Sequence, residues 1–190
     1  MNRDKDKMIF PDLETERLYL RQLTDEDIGF IYKQFSDPQV AKYLMDEPPV
    51  KEIAEAQGII DFYKEPELKT RNRWGIVLKN DNQLVGTIGY HKWIKKYFRA
   101  EIGFDLHPDF WGRGIMMEAL RIVIRHGFTT MGLNRIDGLV YIDNNRCLKL
   151  MERSGFKREG ILQDYFYLNG KFYDHYLLAL LKKDWNPESV

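Results

Sequence analysis

The feature that most constrains this chain is a pair of glycines, Gly112 and Gly114, set where an extended segment gives way to a helix. Upstream, Ala100, Ile102, Phe104 and Leu106 alternate with Glu101, Gly103 and Asp105, the period-two pattern of a strand. Downstream, Ile115/Met116, Ala119/Leu120, Val123/Ile124 and Phe128 recur close to helical spacing. A helix that begins there leaves its first backbone N–H groups without partners, and its dipole adds partial positive charge at the same place. Residues without a Cβ allow close approach to the main chain or a positive φ. The run Trp111, Gly112, Arg113, Gly114, Ile115, Met116 is therefore a candidate anion site, with Arg113 adding a formal charge. A tight turn alone would explain the glycines as well. The run lacks the third glycine of a dinucleotide fingerprint and the Gly-Lys-Ser/Thr of a P-loop, so the rest of the chain must decide.

Length and charge narrow the classes. A chain of 190 residues with 44% hydrophobic and 14% aromatic residues is long and apolar enough for one globular domain. We place that domain at residues 13–185, with a charged N-terminal tail over 1–12 and a short C-terminal tail over 186–190. Lysine plus arginine equals aspartate plus glutamate, 29 against 29, so no nucleic acid or membrane partner is implied. The single cysteine, Cys147, excludes an internal disulfide and fits a reducing compartment. With no targeting pattern and no long apolar run, the expectation is a cytoplasmic protein.

In order, Leu18–Leu20 reads as a first strand, and Thr24 with Asp27 signals the start of a helix carrying Ile28, Ile31, Tyr32 and Phe35. A second helix spans Ile53 to Tyr63. Strands at Trp74–Leu78 and Leu84–Tyr90 flank a turn at Asn80-Asp81-Asn82, and Ala100–Leu106 is the fourth strand. The glycine turn and its helix follow, then a fifth strand at Arg135–Ile142 and a helix opened by Asn144 and closed by Gly155. Tyr165–Leu168 and Phe172–Leu181 form a hairpin around Asn169-Gly170, the preferred type I′ loop. The order β-α-α-β-β-β-α-β-α-β-β gives a mixed α/β sheet with helices on its faces.

That order resembles the GNAT superfamily of acetyl-coenzyme A-dependent N-acetyltransferases, in the branch that includes the ribosomal-protein N-terminal acetyltransferases. The matching pieces are Thr15-Glu-Arg-Leu18 through Arg21, Ala100-Glu-Ile-Gly-Phe104, His107-Pro108, Trp111-Gly-Arg-Gly114, Glu118-Ala119, Asn144-x-x-Cys147, Gly155-Phe156 and Glu159-Gly160. The resemblance implies a fold in which the fourth and fifth strands splay apart. It implies that acetyl-CoA, the co-substrate, lies in the gap, with no metal. Its pyrophosphate would be held by the amides of Trp111 to Met116. Its pantetheine arm would lie along Phe104, Asp105 and Leu106 and against Asn144, with Cys147 and Met151 facing the thioester. Arg146, Lys149 and Arg153 are candidates for the adenosine phosphates.

The acceptor implied is a primary amine, either a peptide N-terminus or a small amine. An alkylamine has a pKa of about 10 in water, so its proton must be removed before attack. Candidate bases are Glu101, His91 at the end of the third strand, and Asp164; Glu101 ranks first because its strand passes the thioester in this family. Three departures stand out. Asp109 occupies a position where relatives commonly have Gln or Arg. Met151 stands where many have a tyrosine acid, and Cys147 where the branch often has Ser; the Cys147 thiol can still donate a proton and is a candidate catalytic residue, although a buried cysteine also fits as a small hydrophobe. The last two also fit an acyl-CoA-binding sensor without catalysis. Tyr165, Phe166, Tyr167, Tyr173 and Tyr176, with Trp93, Tyr97 and Phe98, are expected in the core, along an acceptor cleft or in a homo-oligomer interface.

Overall fold

The computed structural model describes residues 10–44, 47–64 and 70–187. The charged segment Met1–Lys7 and residues 188–190 lie outside the described residues. Strands β1 (Leu13–Glu14) and β2 (Leu18–Gln22) lead into α1 (Ile28–Ser36), α2 (Pro38–Ala41) and α3 (Ile53–Tyr63). Strands β3 (Trp74–Leu78), β4 (Gln83–Ile94) and β5 (Arg99–Leu106) precede α4 (Ile115–Thr129). Then come β6 (Arg135–Tyr141), α5 (Asn145–Arg153), β7 (Lys157–Leu168) and β8 (Lys171–Leu181). The short β1 moves the fourth and fifth strands of the sequence reading to β5 and β6.

The eight strands form one sheet in the order β1-β2-β3-β4-β5-β6-β8-β7. Every neighbouring pair is antiparallel except β5 with β6, whose parallel alignment needs the crossover that α4 supplies. That pair is joined at Arg99↔Arg135, Ala100↔Ile136 and Glu101↔Asp137. Beyond it, β5 runs on to Leu106 and β6 to Tyr141 without pairing to each other. The strands part as the family resemblance implied. Gly138 is the first residue of β6 past the last pair, and the Met151 methyl of α5 lies 2.4 Å from where a Cβ on it would stand.

Alternation along the strands sorts side chains onto two faces. Trp74, Ile76, Ile88, Tyr90, Ala100 and Ile102 join Leu120, Val123 and Ile124 of α4 and Met151 of α5 in the main core. The opposite face carries a smaller core of Leu23, Ile31, Ala56 and Ile60 beneath α1 and α3. Phe10, assigned to the tail, is fully buried and packs edge-on to Trp74 and Trp93 at 5.9 Å.

The strand ends shift in two places. β4 runs past Tyr90 to Ile94 because a bulge with Lys92 at φ 47° resets its register, so His91 lies inside the strand opposite Glu101. β7 starts at Lys157, ahead of Tyr165, as an edge strand whose first five residues are exposed, which leaves no apolar alternation to read. The Asn169-Gly170 loop has φ of 50° and 80°, both positive as its turn type requires.

Candidate active site

The splayed strands open into a cleft of 2120 Å³, well beyond the roughly 300–1,000 Å³ of a single small-ligand site. It has room for two substrates side by side. One end is the glycine turn, where Gly112 and Gly114 take φ of 78° and 75°. A side chain at Gly112 would meet nothing within 4 Å, so the turn is bare as well as left-handed. Among the described residues, the amides of Gly112, Arg113 and Gly114 donate no backbone hydrogen bond. The indole of Trp111 ties the turn to β5 by donating to the Leu106 carbonyl at 2.8 Å.

A brace from the start of the chain holds this end. Arg17 donates from Nε to Glu118 at 2.6 Å and from Nη1 to the Arg113 carbonyl at 3.2 Å. Thr15 Oγ1 donates to the same carboxylate at 2.5 Å. Burial disfavours the charge on Glu118, yet these donors outweigh it and lower its pKa. Arg17, Arg121, Arg125, Arg146, Lys149 and Arg153 also line the cleft. The Arg146 guanidinium lies 4.3 Å from the Trp111 ring centroid, and Arg113 lies 5.2 Å over Phe110. Open main-chain donors, a helix N-terminus and a cationic rim together suit a polyanionic group.

Phe104, Asp105, Leu106, Trp111, Gly112, Gly114, Ile115, Met116, Asn144, Cys147 and Met151 all border this one cleft, as do Glu101 and His91. Asn144 caps α5, its Oδ1 accepting from the Cys147 N–H at 3.1 Å. Burial pushes the Cys147 thiol up to about 12, so it stays protonated at neutral pH. Of the hairpin aromatics, Phe166 faces the cleft, whereas Tyr165, Tyr167 and Phe172 are exposed.

The other wall holds a cluster that sequence reading missed. Arg73 is buried and donates from Nη2 to Asp105 at 2.5 Å and from Nε to Thr87 at 2.5 Å. Asp105 also accepts from Gln34 at 2.8 Å and from the Thr87 hydroxyl. Its carboxylate thus serves this internal network, while its main chain borders the gap. Burial opposes the Arg73 charge, but the Tyr63 oxygen and the Asp105 carboxylate outweigh it and raise its pKa. His91 sits 3.3 Å from Arg73 Nη1 and 3.3 Å from Tyr63 Oη. Burial, then the neighbouring Arg73 charge, lowers its pKa to about 3, which keeps the ring neutral. Glu101 is paired with Lys92 at 3.0 Å, its side chain 23% exposed. No spacing links Arg73 to Asp105. The register does, through Trp74↔Ile88 and Thr87↔Asp105.

Comparison with known proteins fits this geometry. A family model described as the acetyltransferase (GNAT) domain matches residues 17–157. The uncharacterized N-acetyltransferase YoaA of Bacillus subtilis is 38% identical over 92% of this chain and 98% of its own. The [ribosomal protein uS5]-alanine N-acetyltransferase of Escherichia coli is 26% identical over 92% of this chain and 93% of its own. A spermidine N-acetyltransferase from Vibrio cholerae, solved with CoA and spermine, shares the fold with a TM-score of 0.79 over 90% of this chain and 98% of its own, at 22% identity. The parted strands, the bare glycine turn and a domain match across most of its length place the chain in one family: it belongs to the GNAT N-acetyltransferases.

Proposed function

We propose that this enzyme moves the acetyl group of acetyl-CoA to a primary amine by direct attack in a ternary complex. The observation that carries this reading is the parting of β5 from β6 beyond Glu101 and Asp137, beside a turn in which the amides of Gly112, Arg113 and Gly114 donate no backbone hydrogen bond among the described residues. In this reading the amides of Gly112 to Met116 take the pyrophosphate; the Trp111 N–H expected with them already donates to the Pro108 carbonyl at 3.1 Å. Arg146, Lys149 and Arg153 meet the outer phosphates. The freed edge of β5 at Phe104–Leu106 and the Asn144 side chain hold the arm, so that the thioester lies near Cys147 and Met151.

The acceptor enters from the α1/α3 face, where Glu101 points. Glu101 takes the amine proton, directly or through a water, for a contribution of about 10²–10⁴ in rate. Its partner Lys92 is exposed, and an ion pair at the surface is weak. His91 is not suited to that work, because its accepting nitrogen faces Arg73. Cys147, protonated, is a hydrogen-bond donor beside the sulfur and not a nucleophile, which favours direct attack over an acyl-enzyme. Most of the acceleration comes from holding amine and thioester together. The named acceptors of the relatives, a protein alanine terminus and spermidine, share a primary amine, and that shared chemistry is what we carry over.

The test is incubation with acetyl-CoA and a panel of amines and peptides, reading thiol release above the hydrolysis blank. Turnover on one acceptor class is expected. CoA binding by calorimetry with no turnover across the panel would instead identify an acyl-CoA-binding protein.

A further inference from the structure

The corner formed by Tyr63, His91 and Arg73 has only one arrangement of protons. Arg73 Nη1 lies 3.3 Å from His91 Nε2 and 3.4 Å from Tyr63 Oη, and a guanidinium can only donate. His91 Nε2 therefore accepts. The neutral ring then carries its proton on Nδ1, which lies 3.3 Å from Tyr63 Oη and donates to it. The phenol oxygen thus accepts twice, and its own proton has to be given to a third atom. Among the described residues no acceptor takes it.

The corner also stands where chemistry is expected. The His91 ring lies 3.0 Å from where a Cβ on Gly103 would be, on bare β5 backbone just past the point where β6 departs. Tyr63, Arg73 and His91 all border the cleft. An ammonium or alkylammonium brings only donors to this corner and meets a guanidinium there. A carbonyl, carboxylate or hydroxyl oxygen brings the missing lone pair.

We infer that Tyr63 is a specificity-determining residue, its O–H donating to a hydrogen-bond-accepting oxygen that the acceptor molecule carries near its amine. His91 and Arg73 are positioning residues that aim this proton. The inference rests on the acetyl-transfer reading above, and the assay separates the two.

Wild type and Tyr63→Phe are compared, with acetyl-CoA, on glycinamide against ethylamine, β-alaninamide against propylamine, and on spermidine as an acceptor without oxygen. Wild type should prefer the amides. Tyr63→Phe should lower kcat/KM for the amides by about 5–10-fold, mainly through KM, and confine the loss to them. CoA affinity should hold and unfolding should stay cooperative, which marks the variant as folded, while the melting temperature falls because Arg73 Nη1 and His91 Nδ1 lose their shared acceptor. Equal losses on amides and alkylamines, or a wild-type preference for alkylamines or spermidine, would overturn the inference and leave acetyl transfer standing. Absence of wild-type turnover on every acceptor would overturn both.

Discussion

The two walls of the cleft treat polar groups in opposite ways. At the glycine turn, the N–H groups of Gly112, Arg113 and Gly114 have no backbone partner among the described residues, and exposed cationic side chains surround them. Around Arg73, a guanidinium, a carboxylate, a hydroxyl and an imidazole meet one another inside the protein. Unpaired donors left in the open invite a ligand, whereas a buried charge is tolerated only when matched. One wall is built to be completed by another molecule. The other is nearly complete: among the described residues the Tyr63 proton has no acceptor and the buried Gln34 Oε1 no donor.

The largest test of this contrast is Asp105→Ala. Leaving the buried Arg73 charge without its carboxylate should cost about 3–5 kcal/mol in urea unfolding. A cost below about 1 kcal/mol would mean that water reaches the cluster and that the walls do not differ.

The pH dependence of stability sharpens the same point. His91 titrates near 6.5 when unfolded and near 3 when folded, so the unfolded chain binds the extra proton between these values. Its contribution is full above pH 6.5 and is lost as pH falls toward 3, amounting to about 2–3 kcal/mol by pH 4.5. His91→Phe should flatten this part of the profile, and a slope unchanged by the substitution would place the titration elsewhere.

At the open wall, Gly114→Trp adds a side chain at φ 75° beside Arg17. The left-handed backbone should cost about 1–2 kcal/mol of stability, and calorimetry should show CoA affinity reduced by about tenfold or more, equivalent to at least about 1.4 kcal/mol. Full affinity in the folded variant would move the phosphates away from the turn. The smallest effect expected is that of Arg17→Ala. Its side chain is 49% exposed, so breaking the pair with Glu118 should shift stability by about 1 kcal/mol or less in thermal melting. A larger loss would show that the open wall depends on internal pairing as the closed one does.

Much of this was readable in the sequence, but unevenly. The glycine turn, the α4 stripe and the residues that converge on the cleft stand in one run or in motifs whose order carries the resemblance. His91 was legible as a candidate, though its environment was not, since Tyr63 and Arg73 reach it from other elements. Gln34 gave no signal, being one polar residue in an amphipathic helix; only the structure shows it fully buried against Asp105. The start of β7 was hidden because an exposed edge strand has no buried face to impose a pattern.

What the sequence determined by itself is local: the positive-φ turns at Gly112, Gly114 and Asn169-Gly170, the Asn144 cap and the faces of the helices. Each depends on atoms a few residues apart, and backbone sterics settle it before the chain is folded. Tertiary structure alone decided where β5 leaves β6 and which charges share the second wall. Those follow from strand register and from the matching of buried groups far apart in sequence, and both exist only once the sheet has closed.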